Sequence, residues 1–114
     1  MKLSYEGIGQ WAATFACTKL TEGEFVKVSG NGTVADCGAG EDFCGVVLSV
    51  SRGGDACSVA LGGMVTAGYT GTAPTVGWSV LVGDGAGGVK TAETGREYLV
   101  VDVDTDAETV TFAL

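Results

Sequence analysis

Apolar and polar residues alternate with a period of two along most of the chain, in runs of four to nine residues separated by turn-forming residues. The runs are Thr14–Thr18, Glu24–Ser29, Gly32–Asp36, Phe43–Val50, Cys57–Leu61, Met64–Ala67, Trp78–Val82, Gly88–Thr91, Arg96–Asp104 and Thr109–Leu114. Each reads as a short β-strand, because alternate residues of a strand face opposite sides of a sheet. Between them stand Ser29-Gly30-Asn31-Gly32, Arg52-Gly53-Gly54-Asp55 and Gly83-Asp84-Gly85-Ala86-Gly87-Gly88. Asn31-Gly32 tolerates positive φ at both turn positions and predicts a hairpin. No window of 11 or more residues carries a 3.6-residue apolar stripe. A short helical turn has room only in Tyr5–Ala13 or Gly68–Thr75.

Ten short strands at roughly ten-residue spacing predict an all-β fold, a compact small β-barrel or sandwich. Composition agrees: 46% of the 114 residues are hydrophobic, 20 are glycine and one is proline. Such a chain can fill a core and turn sharply, but has little material for helices. An internal repeat adds a reading of two duplicated halves. Gly23–Val28 parallels Gly77–Val82 at an offset of 54 positions. Val34, Gly40, Phe43 and Val46 match Val89, Gly95, Tyr98 and Val101 at 55, and Ser58–Leu61 matches Thr111–Leu114 at 53. A half of about 50 residues buries too little surface to stand alone, so the halves are expected to share one core. The expected organisation is an N-terminal arm over residues 1–13, followed by a single barrel domain over residues 14–114.

Six basic and 14 acidic residues leave a formal charge of −8. That surface repels phosphate backbones and anionic lipid, so neither nucleic acid nor membrane is an expected partner. The first residues lack the apolar core of a secretory signal, and no run approaches a membrane span. Synthesis in the cytoplasm is the expectation, with Cys17, Cys37, Cys44 and Cys57 as reduced thiols. Cys17 and Cys57 lie within alternating runs, where a thiol serves as a small hydrophobe.

Candidate chemistry is sparse, and no enzymatic activity or cofactor is expected. With no histidine in the chain, the commonest general base and metal ligand is missing. Glu41 and Asp42 are adjacent and read as a solvated loop. Gly83–Thr91 resembles a phosphate loop, but Val89 separates its last glycine from Lys90, and no helix pattern follows; a flexible hairpin loop is expected. Asp102–Glu108 resembles a calcium loop, yet Ala107 and Ala113 stand where an EF-hand needs Gly and Glu. No metal is assigned to it.

The aromatic residues Tyr5, Trp11, Tyr69 and Trp78 admit two roles, core filling and protein contact. Two stretches carry a resemblance. One is Gly40-Glu41-Asp42-Phe43-Cys44-Gly45-Val46-Val47 followed by Val59-Ala60-Leu61-Gly62-Gly63-Met64-Val65. The other is Pro74-Thr75-Val76-Gly77-Trp78-Ser79-Val80-Leu81-Val82, with Val89-Lys90-Thr91 and the closing strands. Over Gly23–Leu114 the chain resembles small capsid-decoration and related head proteins of tailed bacteriophages. It departs from their pattern at Leu81, where members often carry Tyr. The resemblance implies a prophage-encoded virion protein that sits in oligomers, often trimers, on the major capsid protein. On this reading the partners are other copies, as a trimer or larger ring, and the shell. The expected contact residues are Leu3, Tyr5, Ile8 and Trp11 in the arm, with Pro74 and Trp78. The alternatives are a head–tail connector or tail component, and a carbohydrate- or ligand-binding module using Trp11, Trp78 and Asp84.

Overall fold

The computed structural model describes residues 11–114. Ten strands follow in chain order: β1 (Trp11–Ala16), β2 (Phe25–Gly30), β3 (Thr33–Asp36), β4 (Gly45–Val50), β5 (Ala56–Gly62), β6 (Met64–Gly68), β7 (Gly77–Gly83), β8 (Val89–Thr91), β9 (Glu97–Asp104) and β10 (Thr109–Ala113). The described residues contain no helix, and Gly68–Thr75 is a bridge followed by bends rather than a helical turn. Strand β1 begins at Trp11, three residues inside the segment expected to be an arm, because Trp11–Ala16 pairs with β5.

The first five strands close into a barrel of order β1-β3-β2-β4-β5, and the last five form a sheet of order β6-β10-β9-β7-β8. The two are one topology used twice. β2 pairs antiparallel with β3 and β4, and β5 lies between β4 and β1. Likewise β7 pairs with β8 and β9, and β10 lies between β9 and β6. The barrel closes through the parallel pair Ala16–Thr33, and its counterpart is the isolated parallel bridge Tyr69–Val89.

Register fixes the repeat more sharply than the sequence does. Val46–Ala60, Val47–Val59, Ser49–Ser58 and Val50–Cys57 face each other across β4 and β5. Their counterparts 53 positions later, Leu99–Ala113, Val100–Phe112, Asp102–Thr111 and Val103–Val110, face each other across β9 and β10. Both pairs bulge at the same place, between Val47 and Ser49 and between Val100 and Asp102. A shared bulge is a strong sign of common ancestry within the chain, since one extra residue shifts every later side chain to the other face. The offset of 54 read for β2 and β7 and that of 55 read for β4 and β9 are therefore corrected to 53, the value already read for β5 and β10. Val46 corresponds to Leu99, and Tyr98 to Gly45 rather than Phe43. The repeat also takes in β1 and β6, which the sequence comparison left out.

The core has two parts. Cys17, Leu20, Val26, Val34, Val47, Cys57 and Val59 fill the barrel. A larger cluster joins Val65, Leu81, Val89, Tyr98, Val100, Val110 and Phe112 of the second unit to Phe25, Phe43, Val46 and Ala60 of the first. Alternation explains the division: Val26, Val47 and Val59 point inward, while their neighbours Phe25, Val46 and Ala60 point outward onto the second unit. Hydrogen bonds from Phe25 N–H to the Gly87 carbonyl, Gly40 N–H to the Gly83 carbonyl and Gly83 N–H to the Glu41 carbonyl tie the units together.

All four cysteines are free thiols, with Cys17, Cys37 and Cys57 buried and Cys44 half-buried. Burial pushes the Cys57 thiol from its ordinary 9.0 up to about 11, with the neighbouring Cys17 adding to the rise. Burial likewise raises the Tyr98 hydroxyl, which donates to the Phe43 carbonyl at 3.2 Å. For an acid whose folded pKa is raised, the stability contribution is complete below the unfolded pKa and lost above it. The melting temperature is therefore expected to fall as pH rises from about 9 towards about 11. A thermal-melt series that stays level up to pH 11 would contradict this.

Candidate interaction surface

A sheet face is read through its cross-strand rows, because residues directly opposite on antiparallel strands share a side. In the second unit Trp78 faces Leu99, Leu99 faces Ala113, and Ala113 faces Met64. These four form one apolar row across β7, β9, β10 and β6. Trp78 is 69% exposed and Leu99 38%, while Val76 just before β7 is 64% exposed. Two residues further along β10 the row is polar: Thr111 faces Thr66 and Asp102, and the two threonine hydroxyls hydrogen-bond at 2.9 Å. On the other side Glu97 faces Val80. An apolar strip with a polar margin is the plan of a protein contact.

The matching row of the first unit is already covered. Phe25 faces Val46, Val46 faces Ala60, and Ala60 faces Ala12. Phe25, Val46 and Ala60 are 1%, 8% and 0% exposed, packed against the second unit. Position for position, Phe25 becomes Trp78, Val46 becomes Leu99 and Ala60 becomes Ala113, each 53 residues on.

Of the expected contact residues, Leu3, Tyr5 and Ile8 lie outside the described residues. Trp11 is 58% exposed at the start of β1, its indole resting over Gly62 where a Cβ has no room. Pro74 is buried within its own chain and presents no contact surface, whereas Trp78 is open. The sequence missed Leu99, Ala113 and Met64, which only the pairing of β6, β10, β9 and β7 brings beside Trp78.

The other candidates resolve into turns. In Gly83–Thr91 the Asp84 carboxylate accepts from the N–H groups of Ala86 and Gly88, so it braces the β7–β8 connection. Far from hanging free, this loop lies against Ala39 and Glu24 of the first unit. Asp104 accepts from the N–H groups of Asp106 and Ala107, which makes Asp104–Glu108 a carboxylate-capped hairpin. Among the described residues no three His, Cys, Asp or Glu side chains group to hold a metal ion. Glu41 pairs with Lys27 at 2.6 Å and accepts from Gly38 N–H, and the lysine above all holds its carboxyl below the usual range. The pair is solvent-exposed and counts as surface charge. Trp78 and Asp84 stand six residues apart along an extended strand, roughly 20 Å, so they do not frame one sugar site.

No protein-family model matches the chain, and no curated protein matches it.

Proposed function

We propose that this chain is a structural protein that acts by adhesion, as a decoration protein on the head of a phage or prophage virion. The observation that carries the adhesive part is the exposed row Met64–Ala113–Leu99–Trp78, whose counterpart in the same chain is a packed interface. The virion setting follows from the sequence resemblance. On this reading copies bind one another and the major capsid protein through apolar faces, with the acidic loops left at the rim. No catalytic step and no cofactor enters. Carboxylates such as Asp84, Asp104 and Glu41 are spent on turns and an exposed ion pair instead of converging on a cleft.

The test is to induce the prophages of cells that encode the chain, purify particles by density, and identify their proteins by mass spectrometry. The expected result is this chain in near-stoichiometric ratio to the major capsid protein, released together with loss of shell strength. Particles that lack it, with the chain left in the cell lysate, would overturn the virion reading.

A further inference from the structure

Two places in the chain set an Asn or Asp before glycine, Asn31-Gly32 and Asp84-Gly85. At such a pair the glycine nitrogen can close on the preceding side chain, because no Cβ obstructs its approach. The fold treats the two differently. The Asp84 carboxylate accepts from Ala86 N–H at 2.7 Å, Gly88 N–H at 3.0 Å and the Thr70 hydroxyl at 3.4 Å. It is held in place and, as an anion, resists attack. Asn31 and Gly32 are both exposed, in the two-residue connection that sets Gly30 opposite Thr33. Gly32 carries the positive φ of this turn, 62°, and a Cβ built on it meets nothing within 4 Å. The Thr33 hydroxyl takes the Asn31 main-chain carbonyl at 3.0 Å. Among the described residues no group holds the Asn31 side-chain amide or the Gly32 N–H.

We propose that Asn31 is a modification site, converted without an enzyme to isoaspartate, and that the change loosens the closing seam of the first unit. Water is the only co-reactant. The Gly32 nitrogen attacks the side-chain carbonyl carbon of Asn31, forming a new N–C bond and a five-membered imide. The bond from that carbon to the amide nitrogen breaks, and the nitrogen leaves as ammonia with the proton that Gly32 gave up. Water then opens the imide. Attack at the side-chain carbonyl yields aspartate. Attack at the main-chain carbonyl yields isoaspartate, in which the backbone runs through the former side chain. No electrons are exchanged, and either product adds one negative charge to the −8 of the chain.

The turn borders the most thinly paired seam of the barrel. Strands β1 and β3 are joined by the single pair Ala16–Thr33. Every other pair of neighbouring barrel strands has two or more. In that seam the Ala16 N–H donates to the Gly32 carbonyl at 2.9 Å. Isoaspartate lengthens the main chain by one methylene immediately before Gly32, which moves this carbonyl off Ala16 while Gly30 and Thr33 keep their register. Aspartate brings the same charge on an ordinary backbone and leaves the seam as it was. The effect therefore belongs to chain length and not to charge. It is independent of the adhesive reading above.

The test ages the full chain in warm, mildly alkaline buffer over several weeks, beside a synthetic peptide spanning Val28–Ala35. Peptide mapping by mass spectrometry is expected to find a gain of one mass unit at Asn31, the only asparagine, with isoaspartate exceeding aspartate and Asp84 unchanged. A turn that stays unmodified while the peptide converts overturns the proposal, as does isomerisation of Asp84 at an equal rate. In the purified isoaspartate form, hydrogen exchange of the Ala16 amide is expected to run roughly 3–10-fold faster than in fresh protein, the shift in local opening that one hydrogen bond is worth. The Val47 amide, bonded to the Glu24 carbonyl at 2.9 Å, is the unchanged reference. Fresh Asn31→Asp is expected to exchange Ala16 at the wild-type rate, and Asn31→Gln to age without either change. Equal loosening in one of these variants, or an isoaspartate form whose Ala16 exchanges at an unaltered rate, overturns the link to the seam.

Discussion

Phe112→Ala is expected to destabilise the protein by about 3–5 kcal/mol. Phe112 is fully buried where the units meet. Its ring lies 5.3 Å from Tyr98, edge to face, and 5.9 Å from both Phe25 and Phe43. Phe43 in turn stacks on Tyr98 at 4.9 Å and meets Phe25 edge-on at 4.9 Å. Two of these rings come from the first unit and two from the second. Removing one leaves a cavity and strips aromatic contacts that are worth more than their area alone. For a chain of this length the loss corresponds to a fall in melting temperature of roughly 12–20 °C. The shared cluster also predicts that both units melt in one transition. Far-ultraviolet and near-ultraviolet circular dichroism should give coincident curves for wild type and variant. Two separated transitions in the wild type would show that the units hold together independently, contrary to this account.

All ten strands were legible in the sequence, and the reason is local. Period-two alternation and glycine-rich turns are properties of neighbouring residues, and they determine where strands begin and end. What the sequence hid is non-local. Phe25 and Val26 read as consecutive apolar residues, and nothing nearby says that one fills a barrel while the other meets a second unit. Trp78 could be singled out because its size and type mark it as an anchor. Leu99, Ala113 and Met64 could not, since they are ordinary strand residues until pairing sets them in a row. Nor did anything beside Pro74 in the chain announce that it is buried. Matching apolar letters gave offsets of 54 for β2/β7 and 55 for β4/β9, because alternating runs match almost as well one or two positions out of register; the hydrogen-bond pairing holds these strands at 53.

Gly45→Ala is the second change expected to be severe, although it adds only one methyl group. Gly45 lies on β4 between β2 and β5, and β5 crosses so close that a Cβ at this position would fall on the carbonyl oxygen of Ala60 and stand 2.9 Å from a Val59 methyl. Its φ is not among the positive values, so the backbone itself admits alanine and the obstacle is wholly steric. A flexible side chain could move aside, but the carbonyl cannot without disturbing the β4–β5 ladder. Overpacking usually costs 1–3 kcal/mol; with a rigid backbone partner the expected loss is about 3 kcal/mol or more. In the second unit the same repeat position holds Tyr98, which faces Ser79 of β7. Its hydroxyl donates to the Phe43 carbonyl of the first unit. One position therefore serves closure in the first unit and docking in the second. Gly53→Ala is the control: an added Cβ there meets nothing nearer than the Asp55 carboxylate at 3.5 Å, and its effect should stay within about 0.5 kcal/mol. Urea melts of the two variants beside wild type decide the matter. Equal midpoints for Gly45→Ala and Gly53→Ala would mean that β4 and β5 do not approach as closely as the closed barrel requires.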